Sequence, residues 1–150
     1  MEEQLLEVKN LRTSFFTHVG EVKAIRDVSF SIRKGEAVGI VGESGSGKSV
    51  TSLSIMQLQH PGKVTGGQIL FHGEDLLKKN KREIRKIRSS KIAMIFQDPM
   101  TSLNALITVG AQISEAILEH EKISKKEAME RAAEMLRLVG IPDPEERLHC

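Results

Sequence analysis

Gly42, Glu43, Ser44, Gly45, Ser46, Gly47, Lys48 and Ser49 follow one another in the order G-x-x-x-x-G-K-[ST]. In that spacing each residue type has a use at a chain of phosphates. The glycines let successive backbone N–H groups turn toward one anion, and a helix beginning near Gly47 adds the positive end of its dipole. Lys48 brings a point charge to the β and γ phosphates, and the Ser49 hydroxyl is a ligand for Mg²⁺. Such a run arises by chance in fewer than about one chain of this size in a hundred, so a merely structural glycine loop is the weaker reading. His18, His60, His72, His120 and His149 show no metal-ligand spacing, and Ser102, Thr108 and Cys150 have no identifiable base beside them.

A phosphate loop needs a strand before it and a helix after it. Ala37 to Val41 is a short all-apolar run, as a strand buried on both faces would be, and Lys48 to Gln59 lacks proline and glycine, as a helix would. Ahead of them, Leu5–Leu11 and Val22–Ile32 alternate apolar and polar residues and predict an antiparallel sheet. Gln68–Phe71 resumes the alternation after the Pro61, Gly62, Gly66 and Gly67 punctuation, and Ile92–Phe96 is a second candidate for a doubly buried strand. Between Lys78 and Lys91 stand eight basic residues and one acid, Glu83, and this run reads as the solvated face of a helix that turns Ile84 and Ile87 inward. The last third is helical. Ile113, Ala116, Ile117 and His120 share one face, Ser124 with Glu127 predicts a capping box, and a second helix buries Ala128, Ala132, Met135, Leu136 and Val139 before Gly140 and Pro142 stop it.

Composition excludes several classes. Leu, Ile, Val and Phe make up 43 of the 150 residues, too many for a disordered chain. With 22 basic and 20 acidic residues the net charge is +2, which supplies no general attraction for nucleic acid. One cysteine, Cys150, allows no disulfide framework. The acidic start at Glu2 and Glu3 is unlike a secretory signal, and the uncharged stretch Pro99–Ser114 is too often interrupted by polar residues to span a bilayer.

Two segments, Ile32–Thr51 around the phosphate loop and Ile95–Asn104 (I-F-Q-D-P-M-T-S-L-N), closely resemble ABC transporter ATPases, and more narrowly the ATPase subunits of dipeptide and oligopeptide permeases. The resemblance covers the whole chain. It implies an α/β fold: a P-loop NTPase core with an antiparallel edge sheet, incomplete, and a partial helical subdomain. The expected division is 1–98 for the nucleotide-binding core and 99–150 for the helical part. It implies ATP and Mg²⁺ bound by Gly42 to Val50, with Lys48 and Gln97 as catalytic residues and Ser49 and Gln97 at the metal. Gln97 matches the glutamine that touches Mg²⁺ and the attacking water, a role suited to a neutral amide that both accepts and donates. Phe15 matches the aromatic residue that stacks on adenine, with Phe16 as the alternate. Val50 stands where many members have threonine, leaving its backbone N–H for the α phosphate, and Ala105 stands where proline often follows Ser-Leu-Asn.

The family's signature Leu-Ser-Gly-Gly-Gln and its Walker B strand ending in Asp-Glu have no match in the chain. The expectation is therefore the amino-terminal part of a peripheral ATPase at the cytoplasmic face of a membrane, binding ATP without hydrolysing it unaided. Its expected partners are transmembrane permease subunits and a second ATPase subunit in a head-to-tail dimer. Met100, Leu103, Leu106 and Ile107 are the apolar side chains expected at the groove for a permease helix. Ala37–Val41 and Ile92–Phe96 would lack their usual neighbours, so the chain alone is expected to self-associate or to carry a rearranged sheet. Two rivals remain: a small complete P-loop kinase or GTPase with Asp98 on the magnesium, and a soluble ABC-type ATPase acting on nucleic acid through the basic run. Against the first, Gln97 intervenes after the strand and Pro99 turns the chain away.

Overall fold

The computed structural model describes residues 3–98 and 102–150 and divides into two compact units, Met1–Ile92 and Ala93–Cys150. Pro99 and Met100, the latter expected in a docking groove, lie outside the described residues.

In the first unit the expected alternation forms a long hairpin, β1 (Gln4–Thr17) against β2 (Gly20–Arg33). β3 (Lys63–Phe71) and the two-residue β4 (Glu74–Asp75) complete an antiparallel sheet of order β2-β1-β3-β4. β1 is therefore flanked on both edges: Val8 stands opposite Phe30 on β2 and opposite Ile69 on β3. Its inward side chains Val8 and Leu11 join Ile25, Ile69, Leu76 and Ile84 in one buried cluster. Burying a side chain of this size contributes about 1.5–3 kcal/mol relative to leaving it in water. α1 (Lys48–Ile55) packs its Val50 and Ile55 against that cluster. A single 3₁₀ turn, Leu76–Lys78, leads into α2 (Lys81–Ser90), whose start is closed by a reciprocal pair: Asn80 Oδ1 accepts from Glu83 N at 3.1 Å while Glu83 Oε2 accepts from Asn80 N at 2.8 Å.

α1 ends at Ile55, short of the expected Gln59. Gln57 adopts φ 51°, a left-handed conformation, and the chain closes a Schellman turn in which Leu58 N donates to Leu53 O (2.8 Å) and Gln57 N to Ser54 O (3.1 Å). Three tertiary bonds hold this non-glycine residue there. Gln57 Nε2 donates to Leu76 O, Arg88 Nε to Met56 O and Arg88 Nη2 to Gln57 O, each at 2.6 Å. Burial pulls the Arg88 guanidinium down from its usual value, though an arginine stays charged regardless.

Neither expected doubly buried strand forms. Residues 37–41 and 92–96 carry no strand structure, and Val41 and Ile95 are 94% and 98% exposed. An all-apolar strand requires hydrogen-bonding neighbours on its edges and cover on both faces, and among the described residues nothing supplies them to these segments.

The second unit holds α3 (Val109–His120), α4 (Lys125–Leu138) and the short α5 (Pro144–Arg147). Its core is Ala132, Ala133, Leu136 and Leu148 with Val109, Ile113 and Met129 packed against them. The buried line of α3 runs through Gly110 and Ser114, so Ala116 and His120 of the expected face are exposed. On α4 the covered arc is Ala128, Ala132, Ala133 and Leu136, while Met135 and Val139 face outward because nothing among the described residues covers that side. Orphan N–H groups in the first turn of α3 find carbonyls near the end of the chain, Val109 N to Cys150 O at 2.8 Å and Gly110 N to Leu148 O at 2.9 Å. Ser124 Oγ caps α4 by accepting from Glu127 N at 3.2 Å, half of the expected box, and Gly140 at φ 77° closes the helix.

Candidate functional site

The phosphate-loop residues form one wall of a cavity of about 350 Å³ lined by Gly45, Ser46, Gly47, Lys48, Ser49 and Val50, with Val22, Lys23 and Ala24 of β2 as the other. The wall from β2 is absent from the sequence reading. Its signal was available in the hairpin register: Val22 is paired with Phe15, the residue expected at the adenine.

Gly45 (φ 79°) and Gly47 (φ 95°) turn the loop through backbone conformations that other residues rarely adopt. Gly47 is constrained twice over, because a Cβ there would lie 2.9 Å from Ile25 Cδ1 and 3.2 Å from Ala24 O. β2 thus presses directly on the residue that starts α1. The helices α2, α3 and α4 each have a side-chain cap at their first turn, from Asn80, Thr108 and Ser124. α1 has none, and no acidic residue in its first turn. Its leading N–H groups and positive dipole end are left to a ligand, and the ligand they suit is an anion.

Lys48 folds back over the loop. Its Nζ donates to Gly42 O and Glu43 O, both at 2.7 Å, and to Ser46 Oγ at 3.3 Å. A phosphate oxygen arriving there would replace neutral acceptors with a charged one, turning these bonds into an ion pair. Gly42 and Glu43 therefore serve the lysine through their carbonyls. They and Ser44 are not on the cavity wall, whereas Ser49 and Val50 are.

Behind the loop a buried polar chain ties α1 to the sheet. Ser54 Oγ gives its one proton to Val50 O at 2.7 Å, so Thr13 Oγ1 of β1 is the donor in the 2.9 Å contact with Ser54 Oγ. Thr13 and Ser54 are both fully buried. Thr51 Oγ1 similarly bonds Gly47 O at 2.9 Å.

Phe15 is half-buried with its ring against Gly62, where a Cβ would meet ring atoms at 2.9 and 3.0 Å, and it does not line the loop cavity. Phe16 is exposed. Gln97 is exposed and belongs to the second unit, as do the exposed Leu103, Leu106 and Ile107. Among the described residues no group of three or more His, Cys, Asp or Glu side chains could hold a metal ion.

Residues 25–149 match the family described as ABC transporter. The chain is 56% identical over 97% of its length to the oligopeptide transport ATP-binding protein OppD of Bacillus subtilis (strain 168), and 57% identical over 97% to the dipeptide transport ATP-binding protein DppD of the same organism. It is 48% identical over 96% of its length to the dipeptide transport ATP-binding protein DppD of Escherichia coli (strain K12). It spans 41%, 44% and 44% of these three relatives. Among solved structures, the dimeric ATP-binding cassette MJ0796 bound to ADP and Pi superposes with a TM-score of 0.81 at 26% identity, over 97% of this chain and 61% of that one.

Proposed function

Because the chain belongs to the ABC transporter family, we propose that it is the ATP-binding part of the ATPase subunit of a peptide importer, coupling ATP binding and hydrolysis to dipeptide or oligopeptide uptake. The observation that carries the nucleotide reading is the uncapped start of α1 opening, beside Lys48, into a cavity of phosphate-loop residues. Peptide as cargo rests on the resemblance to the peptide transport ATP-binding proteins.

In this reading the N–H groups of Gly45 to Val50 wrap the phosphates, and Lys48 exchanges the Gly42 and Glu43 carbonyls for β and γ oxygens. Val22, on the cavity wall, is paired with Phe15, and Phe15 stacks on the base once its ring leaves Gly62. The hydroxyl of Ser49, on the cavity wall, is a hard oxygen donor of the kind Mg²⁺ takes and would hold that ion alongside phosphate oxygens, and the resemblance assigns the amide oxygen of Gln97 to the same ion. When bound, the ion neutralises charge on the β and γ phosphates. Gln97 orients the attacking water through its amide.

Leu103, Leu106 and Ile107 form the apolar surface that receives a helix of a transmembrane subunit, and Leu106 is 94% exposed, as a docking residue should be. No helix among the described residues is long and apolar enough to cross a membrane, so residence at the cytoplasmic face of the cell membrane would come through such partners. A second ATPase subunit completes the site in a head-to-tail dimer. The 150-residue chain by itself binds nucleotide and turns it over negligibly.

Titration calorimetry with Mg-ATP tests this. Binding by the wild type, lost in Lys48→Ala with an unchanged circular dichroism spectrum, is the expected result, and equal affinity for the two overturns the nucleotide reading. Lysine-dependent ATP turnover by the chain alone would revive the small-enzyme reading with Asp98 on the metal.

A further inference from the structure

α2 is a cationic surface with nothing to neutralise it. Lys81, Arg82, Arg85 and Lys86 are exposed, and at about 100° per residue they fall on one arc of roughly 140°. Ile84 and Ile87 lie opposite, Ile84 buried in the core cluster and Ile87 packed against it. Lys91 extends the exposed charge at the end of the helix, whereas Lys78, also exposed, pairs with Asp75 at 3.9 Å. The remaining two basic residues of the run are occupied, Lys79 by Glu74 and Arg88 by the carbonyls at the end of α1. Glu83, the one acid, spends its carboxylate on the Asn80 N–H. Among the described residues no carboxylate lies within ion-pair distance of Lys81, Arg82, Arg85, Lys86 or Lys91.

We propose that this face of α2 rests on an anionic phospholipid surface. Four to eight lysines and arginines on one face of an amphipathic helix are the pattern that attracts acidic headgroups. The isoleucines hold the helix lengthwise against its own core, so the cationic arc is presented over about 15 Å, and several headgroups of a bilayer can meet it at once. Nucleic acid fits less well. The exposed arc offers no aromatic side chain for a base to stack on and no Asn or Gln free to read a base edge, since Asn80 is spent on its cap. With its apolar side in the protein core, α2 makes an electrostatic contact only and inserts nothing into the acyl region.

The test is co-sedimentation of the chain with vesicles of phosphatidylcholine alone and of phosphatidylcholine mixed with phosphatidylglycerol, at low and high salt. Binding to the mixed vesicles only, abolished by salt, is expected. The variant carrying Lys81→Gln, Arg82→Gln, Arg85→Gln and Lys86→Gln should lose about five-fold per residue, on the order of several hundred-fold in all. None of the four side chains is buried, and the variant's circular dichroism checks that it folds. A control with Lys122→Gln, Lys125→Gln and Lys126→Gln in the second unit should bind as the wild type does. Retained binding in the α2 variant, equal loss in the control, binding to neutral vesicles, or tighter binding to single-stranded RNA than to the mixed vesicles would each overturn the proposal. Mg-ATP affinity measured on the same α2 variant should be unchanged, which separates failure here from failure of the nucleotide reading.

Discussion

Gly47→Ala is the substitution that most directly asks whether β2 holds the phosphate loop. Gly47 sits at φ 95°, where an L side chain costs about 1–2 kcal/mol. The new Cβ would also lie 2.9 Å from Ile25 Cδ1 and 3.2 Å from Ala24 O. The Ile25 methyl is the end of a side chain and can swing, although Ile25 is itself in the core cluster, but the Ala24 carbonyl is backbone inside β2. Overpacking of this kind adds about 1–3 kcal/mol, giving about 2–5 kcal/mol in total. Gly45→Ala provides the reference, since Gly45 has a similar φ of 79° and nothing within 4 Å of its Cβ position. It should cost the conformational part alone, about 1–2 kcal/mol. The chain has no tryptophan or tyrosine, so urea unfolding is best followed by far-ultraviolet circular dichroism. Each unit has its own core and the two can unfold separately, so amide exchange in β1 and β3 is needed to report the first unit by itself. Mg-ATP affinity should fall further in Gly47→Ala than in Gly45→Ala, because relief of the clash moves the loop off the wall formed by Val22, Lys23 and Ala24. Equal destabilisation by the two alanines would show that the loop is not braced by β2.

Arg88→Met keeps much of the length of the side chain and strands the carbonyls of Met56 and Gln57; the loss of two charge-assisted bonds should destabilise the first unit by about 2–3 kcal/mol, read as a lowered urea midpoint and faster amide exchange at the end of α1. Val38, Ile40 and Val41 are apolar, exposed and unpaired in a sheet, so sedimentation of the 150-residue chain should show concentration-dependent association that Val41→Asp suppresses, and a monomer at high concentration would show that these residues need no cover.

Local chemistry was legible in the sequence wherever the cause is local. The phosphate loop is eight consecutive residues whose backbone freedom and charges do not depend on distant partners, and the cap at Ser124 and the stop at Gly140 likewise depend on neighbours within one turn. β1, β2 and the Gln68–Phe71 half of β3 could be read from alternation because one of their faces meets a core and the other meets water, whereas Gly66 and Gly67, which look like a turn in sequence, lie inside β3 because β1 pairs with it there. The end of α1 could not. A glutamine in a left-handed turn looks like helix in sequence, and it stops the helix because Arg88, 31 residues later, and Leu76 bond to that turn. The same holds for the cavity wall at Val22, Lys23 and Ala24, which exists because the hairpin folds back against Gly47. Residues 37–41 and 92–96 show the converse: their apolar sequence states what kind of element they could be, yet a strand is a property of a pair of segments, and no described segment pairs with them.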